Sequence, residues 1–204
     1  MSIQNKAEIL PVFPLGDFVL FPGAVTEFYI FEPRYIQLIE HAIDSKGLFC
    51  FGTLVGNWKD LYHESPDLFP YGCICMIEHY EKHPDGKYSI IVRGLEKVKF
   101  IEVPSEQLYR LVKAIPANYK DDLTKEAESD NSLIRNFIKR FMVSHFENID
   151  AQKADNIIDE MNLSQFLPVI CFECKTDTKT KLDLLSLKSL KDVFLALKRL
   201  IENE

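Results

Sequence analysis

Five cysteines and five histidines are the side chains with the widest chemical reach in this chain. Cys73 and Cys75 stand two apart, Cys171 and Cys174 three apart, and four thiolates can hold a tetrahedral zinc ion. The two pairs are nearly a hundred residues apart, however, and neither lies in a glycine-bearing knuckle. Free cysteine is among the most buried residue types, so core packing is the reading adopted for all four. His79 and His83 resemble a ligand pair until the rise of a strand is applied, which separates residues four apart by about 13 Å. Cys50 with His41 or His63 would be a nucleophile and its base, yet Cys50 sits in the apolar run Leu48-Phe49-Cys50-Phe51 with nothing to activate it. Gly47 and Gly52 have the separation of a phosphate loop, but Thr53 occupies the place of the lysine. Glu32 and Arg34 are read as a cap or ion pair at a helix start. No catalytic residue, metal or cofactor is assigned, and the chain is not expected to be an enzyme.

Binding is the chemistry that remains. The connection from Gly52 to Gly72 carries Trp58, Leu61, Tyr62 and Phe69 among polar residues, an unusual apolar load for a loop. Such a loop either closes over its own core or presents a surface. In the second case Trp58, Leu61, Tyr62 and Phe69 would wall a groove for an extended apolar peptide, with Trp and Tyr as rigid amphipathic anchors.

The elements that must carry this loop are legible from pattern. Prolines 11, 14, 22 and 33 break Leu10–Tyr35 into extended pieces, and its many phenylalanines require burial. Tyr35, Ile36, Leu38, Ile39, Ala42 and Ile43 form one helical stripe behind Pro33, and Gly47 is a plausible stop. Residues 48–51 read as a buried strand. Cys73–Lys82 and Lys87–Val103 read as strands joined at His83-Pro84-Asp85-Gly86, with a bulge or corner at Gly94 and a further strand from Leu108 to Ile115. From Leu133 the period becomes helical, and helices are expected over 133–149, 151–161, 165–173 with Pro168 near its start or at a kink, 180–185 behind an Asp177 or Thr178 cap, and 188–202.

All eight glycines lie at or before Gly94 and nine of ten prolines at or before Pro116, so a strand-rich unit over 8–117 should precede a helical unit over 125–204. The 204 residues carry 24 basic against 31 acidic side chains, a formal charge of -7 spread along the chain. That balance weighs against nucleic acid, whose binders need a basic face. No apolar run is long enough to span a bilayer and the first residues do not resemble an export signal, so no membrane association is expected. An odd number of cysteines points to reduced thiols and a cytoplasmic location.

Leu10-Pro11-Val12-Phe13-Pro14-Leu15, Val19-Leu20-Phe21-Pro22-Gly23 and Phe31-Glu32-Pro33-Arg34-Tyr35 resemble, in order and spacing, the Lon N-terminal domain family, the substrate-recognition module of Lon proteases. Tyr71-Gly72-Cys73-Ile74-Cys75, Pro84-Asp85-Gly86-Lys87 and Val92-Arg93-Gly94-Leu95-Glu96-Lys97-Val98 continue the resemblance, as do the terminal helices. It implies an α+β fold, a PUA-like pseudo β-barrel followed by a C-terminal helical bundle. The implied function is non-catalytic binding of unfolded or apolar protein segments, or of an adaptor partner, by a monomer or weak dimer. The ATPase and the Ser-Lys protease domain of a Lon protease have no counterpart before Glu204, so neither activity is expected. RNA binding is the alternative, because PUA-like domains include RNA readers; it would draw on a patch of Lys87, Arg93, Lys97 and Lys99.

Overall fold

The computed structural model describes residues 6–202 except 63, 124–127 and 161–162. Six strands come first: β1 (Glu8–Leu15), β2 (Val25–Ile30), β3 (Leu48–Thr53), β4 (Tyr71–Lys82), β5 (Tyr88–Val103) and β6 (Arg110–Pro116), with α1 (Pro33–Ile43) between β2 and β3. Five helices follow: α2 (Glu128–His145), α3 (Ala151–Glu160), α4 (Leu163–Glu173), α5 (Thr178–Ser186) and α6 (Leu190–Glu202). The chain is thus α+β, with the change of period read from the sequence dividing strands from helices. Pro168 lies inside α4. Met161, at the expected end of the α3 segment, falls outside the described residues.

The sheet is mixed, in the order β2-β5-β4-β3-β1-β6, and β6 pairs again with β5. Five strands therefore form a closed ring of pairings, and β2 hangs from β5 outside it. Only β1 with β3 is parallel, Val12 facing Cys50 and Leu15 facing Thr53. The long β4–β5 hairpin reverses through Pro84-Asp85-Gly86, where Gly86 takes φ 84° as the left-handed position of a three-residue hairpin loop requires. A register shift between Ile74 and Cys75 pairs them with Glu96 and Gly94, leaving Leu95 as the extra residue of a bulge. Gly94 sits at a crossing: its N–H donates to the Ala24 carbonyl and its carbonyl accepts from Gly23.

Alternation along the strands sorts the core into layers. Val12, Cys50, Ile74, Val98 and Val112, one from each strand of the ring, make one cluster. Phe13, Phe49, Phe51, Cys73 and Cys75 point the other way and meet Tyr35, Leu38, Ile39 and Ala42 of α1. Phe13 lies edge-on to Tyr35, Phe51 and Phe28 at 4.6 to 5.6 Å. Each such buried ring contributes about 2–3 kcal/mol of hydrophobic stabilisation before entropy is counted.

A third cluster gathers the helices around Ile134, Phe137, Ile138, Phe141, Leu167 and Leu185, and includes Val19 and Phe21 from the first part of the chain. Asp177 caps α5 by accepting from the Thr180 N–H at 2.6 Å. Backbone bonds Lys120 N–H to Lys188 C=O and Leu190 N–H to Lys120 C=O tie the segment after β6 to the start of α6.

Lys97 is where local pattern and tertiary structure part. The basic patch of the RNA alternative needs Lys97 of β5 on a solvent face, yet only 1% of it is exposed. That face is covered by helices: its Nζ donates to the Leu187 carbonyl just past α5, 4.1 Å from the Tyr119 ring centroid and 5.2 Å from that of Tyr71. Burial lowers its pKa to about 8.

Candidate functional site

The Gly52–Gly72 connection is a folded-back arm rather than an open loop. Its limbs pair: Val55 N–H donates to Asp67 C=O, Phe69 N–H to Thr53 C=O, and Leu54 bridges Leu68. Arg110 of β6 clamps the return limb by donating to the Pro66 carbonyl at 2.7 Å, while its ion pair with Glu102 holds the guanidinium in place. Trp58, Leu61 and Tyr62 thus sit on a tip whose ends are fixed to the ring.

The four residues singled out in the arm divide. Trp58 is half-buried and lies flat against Gly16 beyond β1; a Cβ built on Gly16 would stand 2.0 Å from Trp58 Cζ2, so only glycine lets the indole in. Tyr62 stands 6.4 Å from Trp58, ring to ring, and its hydroxyl donates to Glu32 Oε1 at 2.6 Å. Leu61 between them stays exposed. Phe69 is half-buried against the helical cluster and Tyr71, so its ring serves the junction with the helices.

Glu32 and Arg34 form the ion pair expected at the helix start. Glu32 is the N-cap residue of α1, without a side-chain capping bond, and its carboxylate pairs with Arg34 at 2.9 Å. The Arg34 guanidinium lies 4.6 Å from the Tyr35 ring centroid and 4.8 Å from that of Tyr62, a cation shared by two aromatic faces. Burial, reinforced by the hydrogen bond to Glu32, raises the Tyr62 hydroxyl above its ordinary value. Beside this group opens a cleft of about 100 Å3 reached by Pro14, Arg34, Tyr62, Pro66, Leu108 and Tyr109. That volume suits one side chain, not a drug-sized molecule. Tyr109 on its wall is hydrogen-bonded to His41 Nδ1 at 2.7 Å.

A wider cavity of about 440 Å3 lies where the ring meets the helices, lined by Pro22, Gly23, Leu95, Tyr119, Gln165 and Val169 among others. Sequence reading singled out Pro22 and Gly23 for the fold alone, because the partners that make them a cavity wall come from α4, some 140 residues on.

The remaining chemical groups are arranged for packing. All five cysteines are free and buried, and burial pushes the thiols of Cys50, Cys73, Cys75 and Cys171 upward, away from the thiolate a nucleophile needs. His63 falls outside the described residues, and among those described no three His, Cys, Asp or Glu groups are placed to hold a metal. No helix among them is long and apolar enough to cross a membrane. The basic patch imagined for RNA is not assembled: Lys97 is buried, Arg93 grips Glu78 through two donors, and Lys87 pairs with Asp85 at 2.8 Å.

A closed ring of five strands with a sixth attached, an early helix on its face and five helices beyond it define an α+β domain of the Lon N-terminal type. Solved structures share it: the N-terminal domain of a Mycobacterium avium complex Lon protease superposes with a TM-score of 0.70 over 97% of this chain and 100% of that one, at 12% identity. A Lon N-terminal domain protein from Xanthomonas campestris gives 0.64 over 96% and 98%, at 18% identity. The family described as the ATP-dependent protease La (LON) substrate-binding domain matches residues 9–202, and the chain belongs to that family. Among curated proteins it is similar to the Lon proteases of Parabacteroides distasonis, 27% identical over 85% of this chain, and Flavobacterium johnsoniae, 26% identical over 94%. It spans only 21% and 24% of the length of those two proteins.

Proposed function

We propose that this chain is a non-catalytic binding module that takes unfolded or apolar protein segments, or an adaptor partner, along the rim of Trp58, Leu61 and Tyr62. The observation that carries the reading is Tyr62, which joins Trp58 ring to ring and lines a cleft of one side chain's volume, with Leu61 next to it in the chain left exposed. An apolar segment could run along the rim and drop one side chain into the cleft beside Arg34. Phe69 belongs to the site as the residue that fixes the arm's return limb. The family's description as substrate-binding supports the same reading. Free, buried thiols and the charge of -7 fit a monomer or weak dimer working in a reducing cytoplasm.

The double change Trp58→Ala with Tyr62→Ala tests it, with reduced, unfolded casein as probe and affinity expressed per folded molecule. Affinity should fall by about tenfold or more, which corresponds to about 1.4 kcal/mol, while the melting temperature moves by only a few degrees. Unchanged affinity with a large loss of stability would make the arm a cover for the core and refute the site.

A further inference from the structure

We propose that the free edge of β2 is a second docking site, independent of the Trp58–Tyr62 rim, and that it accepts an extended protein segment in which a basic residue alternates with apolar ones. β2 ends the sheet and, among the described residues, pairs only with β5. Gly94 N–H donates to Ala24 C=O, and the paired register then gives Thr26, Phe28 and Ile30 the bonds to β5. By antiparallel alternation the backbone N–H and C=O groups of Val25, Glu27 and Tyr29 face away from the sheet. An unsatisfied strand edge asks for one thing, another extended backbone. β2 has no proline, lysine or bulge to block such pairing.

The side chains say which backbone. Val25, Tyr29 and, just beyond, Phe31 are 41%, 52% and 58% exposed, a line of apolar surface along the edge. Between them stands Glu27, opposite Ile91 of β5, and β4 on the far side of β5 adds Glu81 opposite Ser89. Together with His79 these residues border a concave surface of about 370 Å3. Neither Glu27 nor Glu81 has an ion pair among the described residues, whereas the neighbouring cations are already engaged: Arg93 with Glu78, Lys87 with Asp85, Lys82 with Glu40. An added strand therefore meets apolar surface opposite Val25 and Tyr29 and an unpaired carboxylate opposite its central residue. Lysine or arginine there, flanked two residues away by apolar side chains, is complementary. A second copy of this chain is not: the register that pairs the outward residues Val25 and Tyr29 of two β2 edges sets the two Glu27 carboxylates face to face.

The test uses the whole chain and a capped peptide, Thr-Val-Thr-Lys-Thr-Tyr-Thr, read by calorimetry. Two controls accompany it, one with the lysine replaced by glutamate and one N-methylated at alternate amides to remove the donors that would reach β2. The lysine peptide should bind, and each control should bind about tenfold more weakly or worse. Glu27→Lys should reverse the preference between the lysine and glutamate peptides. Equal affinity for the N-methylated peptide, or no binding of the lysine peptide at millimolar concentration, would overturn the proposal. So would a wild-type dimer in sedimentation that Glu27→Pro dissociates, since that change removes one free-edge donor and would show the occupant to be a second copy.

Discussion

Replacing Lys97 by methionine keeps most of the side chain's volume and removes its charge. In the folded protein the ammonium is held at about 8 by burial, against 10.5 for an ordinary lysine. Between those values the unfolded chain holds a proton that the folded chain has released. Stability from this group therefore rises as pH climbs from 8 toward 10.5, and is lost again as pH falls from 10.5 back to 8. From pH 8 to about 9.5 the gain amounts to about 1.5 kcal/mol. The wild-type curve alone would hide it, because the thiols of Cys50, Cys73, Cys75 and Cys171 are pushed above their ordinary 9.0 by burial. Those thiols ionise in the unfolded chain first, so they lower stability as pH rises through the same range. Lys181, lowered by burial, adds a smaller contribution of the lysine sign. These effects are common to both proteins and cancel in the difference. Urea unfolding in reductant at several pH values should show the wild type gaining about 1.5 kcal/mol on Lys97→Met between pH 8 and about 9.5. A difference that stays flat within about 0.5 kcal/mol would mean that the Tyr71 and Tyr119 rings and the Leu187 carbonyl fully offset the desolvation of the ammonium.

Gly16→Ala should expel Trp58 from its seat, and because Trp58 is the chain's sole tryptophan its emission reports directly: a red shift is expected, with a loss of about 1–2 kcal/mol, and an unshifted spectrum would refute the contact. Gly94→Ala puts a Cβ 2.2 Å from the Phe21 carbonyl oxygen at a crossing held by two backbone bonds, so urea unfolding should show a loss of about 3 kcal/mol or more. We propose that the strand-rich unit ends near Pro116 and the helical unit begins near 125; limited proteolysis should then cut first between Asn118 and Asp130, and first cuts inside Leu133–Phe146 would place the division elsewhere.

The sequence by itself determined the order and kind of the elements. The Tyr35–Ile43 stripe, the Asp85-Gly86 hairpin, the bulge beside Gly94, the Asp177 cap and the helical period after Leu133 are all local signals, set by neighbours within a turn or a strand's length. It also brought Trp58, Leu61, Tyr62 and Phe69 into one arm. Tertiary structure alone decided what each of them faces. Phe69 packs against the cluster that the later helices build, while Tyr62 reaches back 30 residues to Glu32. The parallel pairing of β1 with β3, the closure of β6 onto β5 and the free edge of β2 are likewise long-range outcomes. Lys97 shows the reason most plainly: alternation states which residues share a face of β5, but whether that face meets water depends on Leu187, 90 residues away. Periodicity is fixed by local backbone geometry, whereas the cover over a face is chosen by the packing of the whole chain.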